Sequence, residues 1–288
     1  MLWLLACWNS EEKEAPIVDT SVEQPTDEPM VDDTEINSEP TSEPTSEPEP
    51  ATEPEEELPT RDGWVLVWHD EFNDSEIDLS KWSFEVNGWG GGNNELQYYT
   101  DRPNNARIED GSLIIQANQE RFTGADGQRE YTSARLRTLN QGDWLYGRME
   151  ARIQLPTGQG LWPAFWMLPT DWVYGGWAAS GEIDIMELVG HEPNVVHGTL
   201  HYGGSWPDNT YSGSGFTNTE SFANDYHTFA VEWEENEIRW YVDEALVSTQ
   251  NSWYSAVAAY PAPFNQRFHI ILNIAVGGNW PGNPDAST

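Results

Sequence analysis

The sequence predicts an all-β sandwich. Short runs of β-branched and aromatic residues recur along the chain, many alternating in polarity. Gly, Pro, Asn and Asp fill the gaps between them. No long stretch carries the periodicity of an amphipathic helix. Taken in order, Trp64–Trp68 (WVLVW), Ser112–Asn118, Tyr131–Arg137 and Gly147–Leu155 read as strands. Trp162–Leu168, Gly181–Leu188, Val196–Tyr202 and His227–Trp233 follow. Glu237–Val242 and Phe268–Val276 complete the set, with Glu234-Glu235-Asn236 as a hairpin loop between FAVEW and IRWYVD. Gly203–Ala223 and Thr249–Gln266 are polar or punctuated by Gly and Pro, and read as the longest loops. This is the pattern of two packed antiparallel sheets.

The 288 residues divide by composition. Residues 1–60 hold 18 acidic residues and one basic residue, contributing −17 of the net charge of −36, so residues 61–288 carry −19. Residues 8–59 are rich in Pro, Thr, Ser and Glu and repeat the unit TSEP, a composition that cannot offset chain entropy by apolar burial. They are expected to form a disordered linker extended by self-repulsion. Before it, Leu4-Leu5-Ala6-Cys7 resembles a bacterial lipoprotein processing site, so residues 1–7 are expected to be a truncated signal ending at the lipid-modified cysteine. A basic leading region and a long apolar core are absent from those residues. Cys7 is the only cysteine, which excludes an internal disulfide.

Residues 61–288 suffice for one large domain. Its acidity argues against nucleic acid and anionic membranes as partners and favours a neutral ligand. Fourteen of the 16 tryptophans lie there, which a flat, neutral ligand would explain.

The segment Gly181–Glu187 (GEIDIME) carries the strongest chemical signal. In a strand, Glu182 and Asp184 share a face and Glu187 points away. One extra residue, a β-bulge around Met186, returns Glu187 to the face of Glu182. The two glutamate Cα atoms would then lie about 13 Å apart, four steps of about 3.3 Å. On a concave strand their side chains can converge across Asp184, as the carboxyl pair of a retaining glycosidase must. A solvated acidic strand is the plainer reading. It leaves three like charges crowded on one face with no compensating gain.

The surrounding motifs then resemble glycoside hydrolase family 16, and within it the laminarinase-like endo-1,3-β-glucanases. Seven motifs stand in the family's order: VWHDEF (67–72), NNELQYYT (93–100), TSARLRT (132–138), GLWPAFWMLP (160–169), GEIDIME, HGTLHYGG (197–204) and LNIAVGGNWPG (272–282). The resemblance covers residues 61–288. It implies a curved β-jelly roll, concanavalin A-like, with a substrate cleft on its concave sheet. It implies that Glu182 is the nucleophile, Asp184 the assisting acid and Glu187 the general acid/base. Electrostatics fits those roles, because an ionised Glu182 keeps Glu187 protonated until the glycosyl ester forms.

Further site residues are expected around the triad. Exposed indoles suit the apolar faces of sugars, so Trp162, Trp166 and Trp177 are candidate platforms, with core packing as the alternative for each. Trp166 and Trp177 are expected on one side of the scissile bond, with Trp233 and Asn273 on the other. Arg135 and Arg137 share a face and offer rigid donors to hydroxyls, or else pair with carboxylates. Asn94, Glu95 and His201 are further polar candidates, and His197 a weaker one. No cofactor is expected for catalysis. The resemblance also implies a structural calcium held by Glu71 and the Gly111 carbonyl, with an aspartate from a final strand that relatives carry beyond GGNWPG. This chain stops at Thr288, so the domain is expected to lack that strand and leave an unpaired edge.

The expected activity is retaining, endo-acting hydrolysis of internal 1,3-β bonds in laminarin-type glucans by a monomer at the cell surface or outside the cell. The alternatives are a relative acting on mixed-linkage 1,3-1,4-β-glucan or a galactan, and a non-catalytic glucan-binding module. The presence of both Glu182 and Glu187 weighs against the module.

Overall fold

A computed structural model of the chain describes the backbone of residues 2–10 and residues 60–288 in full. Residues 11–59, nearly all of the expected linker, lie outside the described residues. The described residues form 19 strands, beginning with β1 (Leu2–Ser10), β2 (Trp64–Asp70), β3 (Ser83–Phe84) and β4 (Gln97–Tyr99). Next come β5 (Ala106–Glu109), β6 (Ser112–Ile115), β7 (Asn118–Gly124), β8 (Gly127–Ser133), β9 (Arg135–Arg137) and β10 (Asp143–Trp144). β11 (Gly147–Ile153), β12 (Leu161–Pro169), β13 (Glu182–Glu187), β14 (Val195–Gly203) and β15 (Asn209–Thr217) follow. β16 (His227–Glu234), β17 (Glu237–Val242), β18 (Ala245–Gln250) and β19 (Phe268–Val276) complete the chain.

Two large sheets form the jelly-roll sandwich. One runs β15-β14-β13-β12-β19-β9-β3, with β10 beside β19. The other runs β18-β17-β16-β11-β1-β6-β5, with β2 beside β1. A small third sheet, β4-β8-β7, carries a parallel pairing of β4 with β8. Between the large sheets lies the core that alternation predicts. Phe165, Met167, Ile183, Leu200, Ile270 and Leu272 from the first sheet meet Met149, Phe229, Val231, Ile238 and Val242 from the second. The opposite face of the first sheet keeps the polar and aromatic residues of the same strands, and this is the concave face.

Every strand expected from the sequence is present, Glu237–Val242 and Phe268–Val276 with the expected bounds and the others with shifted ends. Ser112–Asn118 and Tyr131–Arg137 are each interrupted and continue as separate strands. The loop expected at Gly203–Ala223 instead contains β15, whose sequence NTYSGSGFT carries turn residues on a regular strand. β1 pairs antiparallel with β11, Cys7 opposite Met149, and with β2, Cys7 opposite Trp68.

Candidate active site

The acid strand β13 folds as its spacing requires. On β12, Phe165 stands opposite Met186 and Trp166 opposite Asp184, so Ile185 is the extra residue of a bulge. The same shift appears against β14, where Asp184 faces Thr199 and Glu187 faces His197. Ile183, Ile185 and Met186 are all buried in the core. The bulge therefore lets three apolar side chains go inward while Glu182, Asp184 and Glu187 share the concave face.

Each carboxyl has a distinct setting. Glu182 Oε2 accepts a hydrogen bond from Trp177 Nε1 at 2.9 Å. Glu187 Oε1 accepts one from Trp162 Nε1 at 3.0 Å. Asp184 is the most buried, at 2% exposure, with its Oδ2 3.3 Å from His201 Nε2. Donor atoms of Glu182, Asp184 and His201 lie within 4.8 Å of one another. Burial, then the Asp184 charge, pushes Glu182 up to about 8, against the opposing pull of His201 and the Trp177 hydrogen bond. Burial also holds Asp184 and Glu187 well above the usual carboxylate range, and Asp184 raises Glu187 further. Three carboxyls in one dry pocket do not all ionise, so the cluster retains protons near neutrality. A nucleophile and a proton donor on the same strand face can coexist there.

Two arms extend from the triad. On one side Trp166 Nε1 donates to Asn273 Oδ1 at 2.7 Å, and the Arg135 guanidinium lies 4.6 Å from the Trp166 ring centroid. Asn273 Nδ2 donates to the Tyr99 hydroxyl at 3.1 Å, and the buried Glu95 accepts from Gln97 at 2.7 Å beneath them. Arg135 and Arg137 both pair with Glu85, at 3.2 and 2.9 Å. On the other side His201 stands opposite Glu182 and packs between Trp177 and Tyr211, at ring separations of 5.6 and 5.7 Å. Beside Glu187, Trp280 meets the edges of Trp162 and His197. Asn94 is at the rim, where its amide donates to Asn279 at 2.9 Å, next to Trp280.

Several expectations need correction. Trp233 is fully buried, its Nε1 donating to the Phe264 carbonyl at 3.0 Å, so it is a core residue and not a sugar platform. Its strand belongs to the second sheet, where strand parity turns it inward. Asn273 shares an arm with Trp166 and not the opposite side, because β19 is the direct neighbour of β12. Trp177 belongs to the other arm, with His201. Sequence reading missed Trp240, Trp280 and Tyr211. Trp240, from β17, crosses the core and donates its Nε1 to the Asp184 carbonyl at 2.8 Å, where the bulge interrupts the ladder. Gly198 makes room, since a Cβ there would stand 2.4 Å from the indole. Trp280 was within sight in the GGNWPG motif.

Glu71 and Gly111 do not by themselves form a calcium site. Glu71 Oε1 lies 3.2 Å from His69 Nδ1. Among the described residues, the one group of three or more acidic or histidine ligands is Glu182, Asp184 and His201. A single carboxylate and one carbonyl fall short of the six to eight oxygens calcium takes.

Comparison with known proteins agrees with this geometry. The chain is 46% identical over 248 residues to glucan endo-1,3-beta-glucosidase A1 of Niallia circulans, covering 80% of this chain but 36% of that protein. It is 46% identical over 235 residues to a beta-glucanase of Rhodothermus marinus, covering 76% and 78%. Among solved structures, the endo-beta-1,3-glucanase of Pyrococcus furiosus superposes with a TM-score of 0.70 at 41% identity, over 79% of this chain and 90% of that one. The family model of glycosyl hydrolases family 16 matches residues 93–288, and the chain belongs to that family.

Proposed function

We propose that the protein hydrolyses internal 1,3-β-glucosidic bonds of laminarin-type glucans with retention. The observation that carries this reading is the bulged strand β13, which sets three carboxyls on the floor of a concave sheet between two aromatic arms. Glu182 attacks the anomeric carbon as the bond to the leaving oxygen breaks, and Glu187 gives that oxygen its proton. The glycosyl ester removes the charge of Glu182. Glu187 then takes a proton from water, which attacks the same carbon and frees Glu182. Asp184, whose burial favours its neutral form, lies beside Glu182 on the same strand face and can orient it. All of this is side-chain chemistry, and no cofactor enters it. A structural calcium near Glu71 and the Gly111 carbonyl would need further oxygen donors and takes no part in these steps.

Arms on both sides of the triad support binding to the middle of a chain, hence endo action. Incubation with laminarin, lichenan and agarose, followed by product sizing, tests the reading. A spread of oligosaccharides from laminarin is expected early. Immediate release of glucose or of one fixed product would mean exo action. Cleavage of agarose alone would replace the substrate class.

The reading extends to location and assembly: a monomer displayed on the outer surface of a bacterium, anchored through Cys7. The segment Leu4–Cys7 and the acidic residues after it support this. Processing at Cys7 would remove Leu4–Ala6, whose backbones pair with Arg152, Ala151 and Glu150. Mass spectrometry of the mature N-terminus decides between anchoring and sheet pairing, because a protein that retains residues 1–6 has no lipidated terminal cysteine.

A further inference from the structure

We propose that the edge strand β15 carries an additional sugar-binding position, built on Tyr211 beside Gly213 and Gly215. It would take one pyranose unit of the glucan beyond His201. The inference rests on the glucanase reading and adds a specific element to one arm of the cleft.

Strand register provides the first argument. Glu182 stands opposite His201, and His201 opposite Tyr211. Asp184 leads in the same way to Thr199 and Gly213, and Glu187 to His197 and Gly215. Three rows thus cross the concave face, each beginning at one carboxyl of the triad. Only the Glu182 row ends in a side chain on β15. Tyr211 presents its ring with 70% exposure and a tilt of 38° to His201. The other two rows end in a floor without side chains. A Cβ at Gly213 would lie 2.8 Å from both the Gly198 carbonyl and Thr199 Oγ1. A Cβ at Gly215 would touch the His197 ring at 3.4 Å. Ser212, on the alternate face, bonds Gln250 and confirms which way Tyr211 points.

Composition provides the second. A lone exposed aromatic is ordinary, and edge strands are usually blunted by charge. β15 contains no Asp, Glu, Lys or Arg over Asn209–Thr217, in a chain of net charge −36. An uncharged lip ending in an open aromatic face suits a neutral polysaccharide, whose sugar C–H faces stack on such rings.

The test uses the full chain and a chain-length series of end-labelled 1,3-β-linked gluco-oligosaccharides. Cleavage positions, kcat and KM are measured for wild type, Tyr211→Ala and Tyr211→Phe. For Tyr211→Ala, the loss in kcat/KM on long chains should exceed that on the shortest cleaved substrate by about tenfold, the factor expected from one aromatic contact. That loss should sit in KM, and the preferred cleavage position should move by one unit. Tyr211→Phe should retain the wild-type pattern. An equal loss at every length, or an unchanged cleavage pattern in Tyr211→Ala, would overturn the site while leaving the glucanase reading intact. Wild-type protein that cuts none of the series removes the activity and this site together. A second copy on the β15 edge, seen as a dimer by light scattering that Tyr211→Ala dissolves, would reassign the strand to self-association.

Discussion

Two groups of glutamates lie on opposite faces of the same sandwich, and the shifts of Glu232 and Glu244 run opposite to those of Glu182 and Glu187. On the outer sheet, Arg148 is fully buried and donates to Glu150 at 2.7 Å, Glu232 at 3.0 Å and Glu244 at 3.1 Å. Arg61 and Arg239 add further contacts to Glu244 and Glu232. Burial works to raise Glu232, but hydrogen bonds from Tyr241 and Arg239 and the Arg148 charge leave it below the usual range. Glu244 is lowered too, chiefly by its hydrogen bond from Arg61. On the concave face, Glu182 has the same side-chain exposure as Glu232, 13%, yet is pushed up to about 8. Burial is the largest influence on both, and it prevails at Glu182 because no arginine opposes it there. The outer carboxylates have arginines, whereas the triad has neutral indole donors, a histidine and one another. The lesson is that one fold uses cations where carboxylates serve stability and withholds them where protons must move.

The largest effect should come from removing the unpaired acids. Glu182→Gln and Glu187→Gln should each lower turnover by about 10³-fold or more, with both proteins folded. Azide should distinguish Glu182→Ala from Glu187→Ala. With Glu187→Ala it should trap the intermediate as β-glycosyl azide, and with Glu182→Ala it should attack directly to give the α-azide. The same anomer from both would break the division of roles.

On the outer face, charge removal should damage the fold instead. Arg148→Met leaves three carboxylates without their shared buried partner, a change that costs about 3–5 kcal/mol. Denaturant titration checks this, and kcat of the remaining folded enzyme should stay near wild type. A catalytic loss without a stability loss would mean that the two faces are not separate systems.

The pH dependence of stability should differ in sign between the faces. Glu182 is raised from 4.5 to about 8, so the folded state holds its proton more tightly than the unfolded chain. Stability from that proton is full below pH 4.5 and lost as pH rises toward about 8. Glu232 and Glu244 are lowered, so their contribution is present above 4.5 and lost as pH falls below it. Thermal midpoints of wild type should therefore drop between about pH 5 and about pH 8 by more than those of Glu182→Gln. Parallel curves would show that Glu182 titrates normally.

How far the sequence revealed this follows from what each signal encodes. The spacing Glu182-x-Asp184-x-x-Glu187 specifies a bulge, because only an extra residue lets three acids share a face while Ile183, Ile185 and Met186 are buried. Trp166 and Trp162 were legible because strand parity and the motif agree. Trp233 was misread because parity does not say which face of which sheet is the core. Tyr211 was hidden because SGSG reads as a turn, while pairing with β14 makes it a strand. Asn273 and Trp166 meet only through the neighbouring of β12 and β19, a contact between residues 107 positions apart that local pattern cannot hold.

The smallest effect concerns Trp240, which reaches from the outer sheet to the acid strand. Strand β17 turns Arg239 and Tyr241 outward into the arginine network and Trp240 inward, where its Nε1 donates to the Asp184 carbonyl. The bulge interrupts the ladder there, so the indole gives that carbonyl a firm partner inside the core. Trp240→Phe retains an aromatic ring and removes this donor. It should cost about 1–1.5 kcal/mol of stability, the net value of one neutral hydrogen bond. Its catalytic signature matters more, because a looser bulge changes the angle of Glu187 relative to Glu182 and not the aromatic arms. Turnover should fall by about tenfold with KM unchanged, as for a loss felt only in the transition state. A rise in KM with kcat intact would show that Trp240 supports the sugar platforms and that the bulge holds its shape without it.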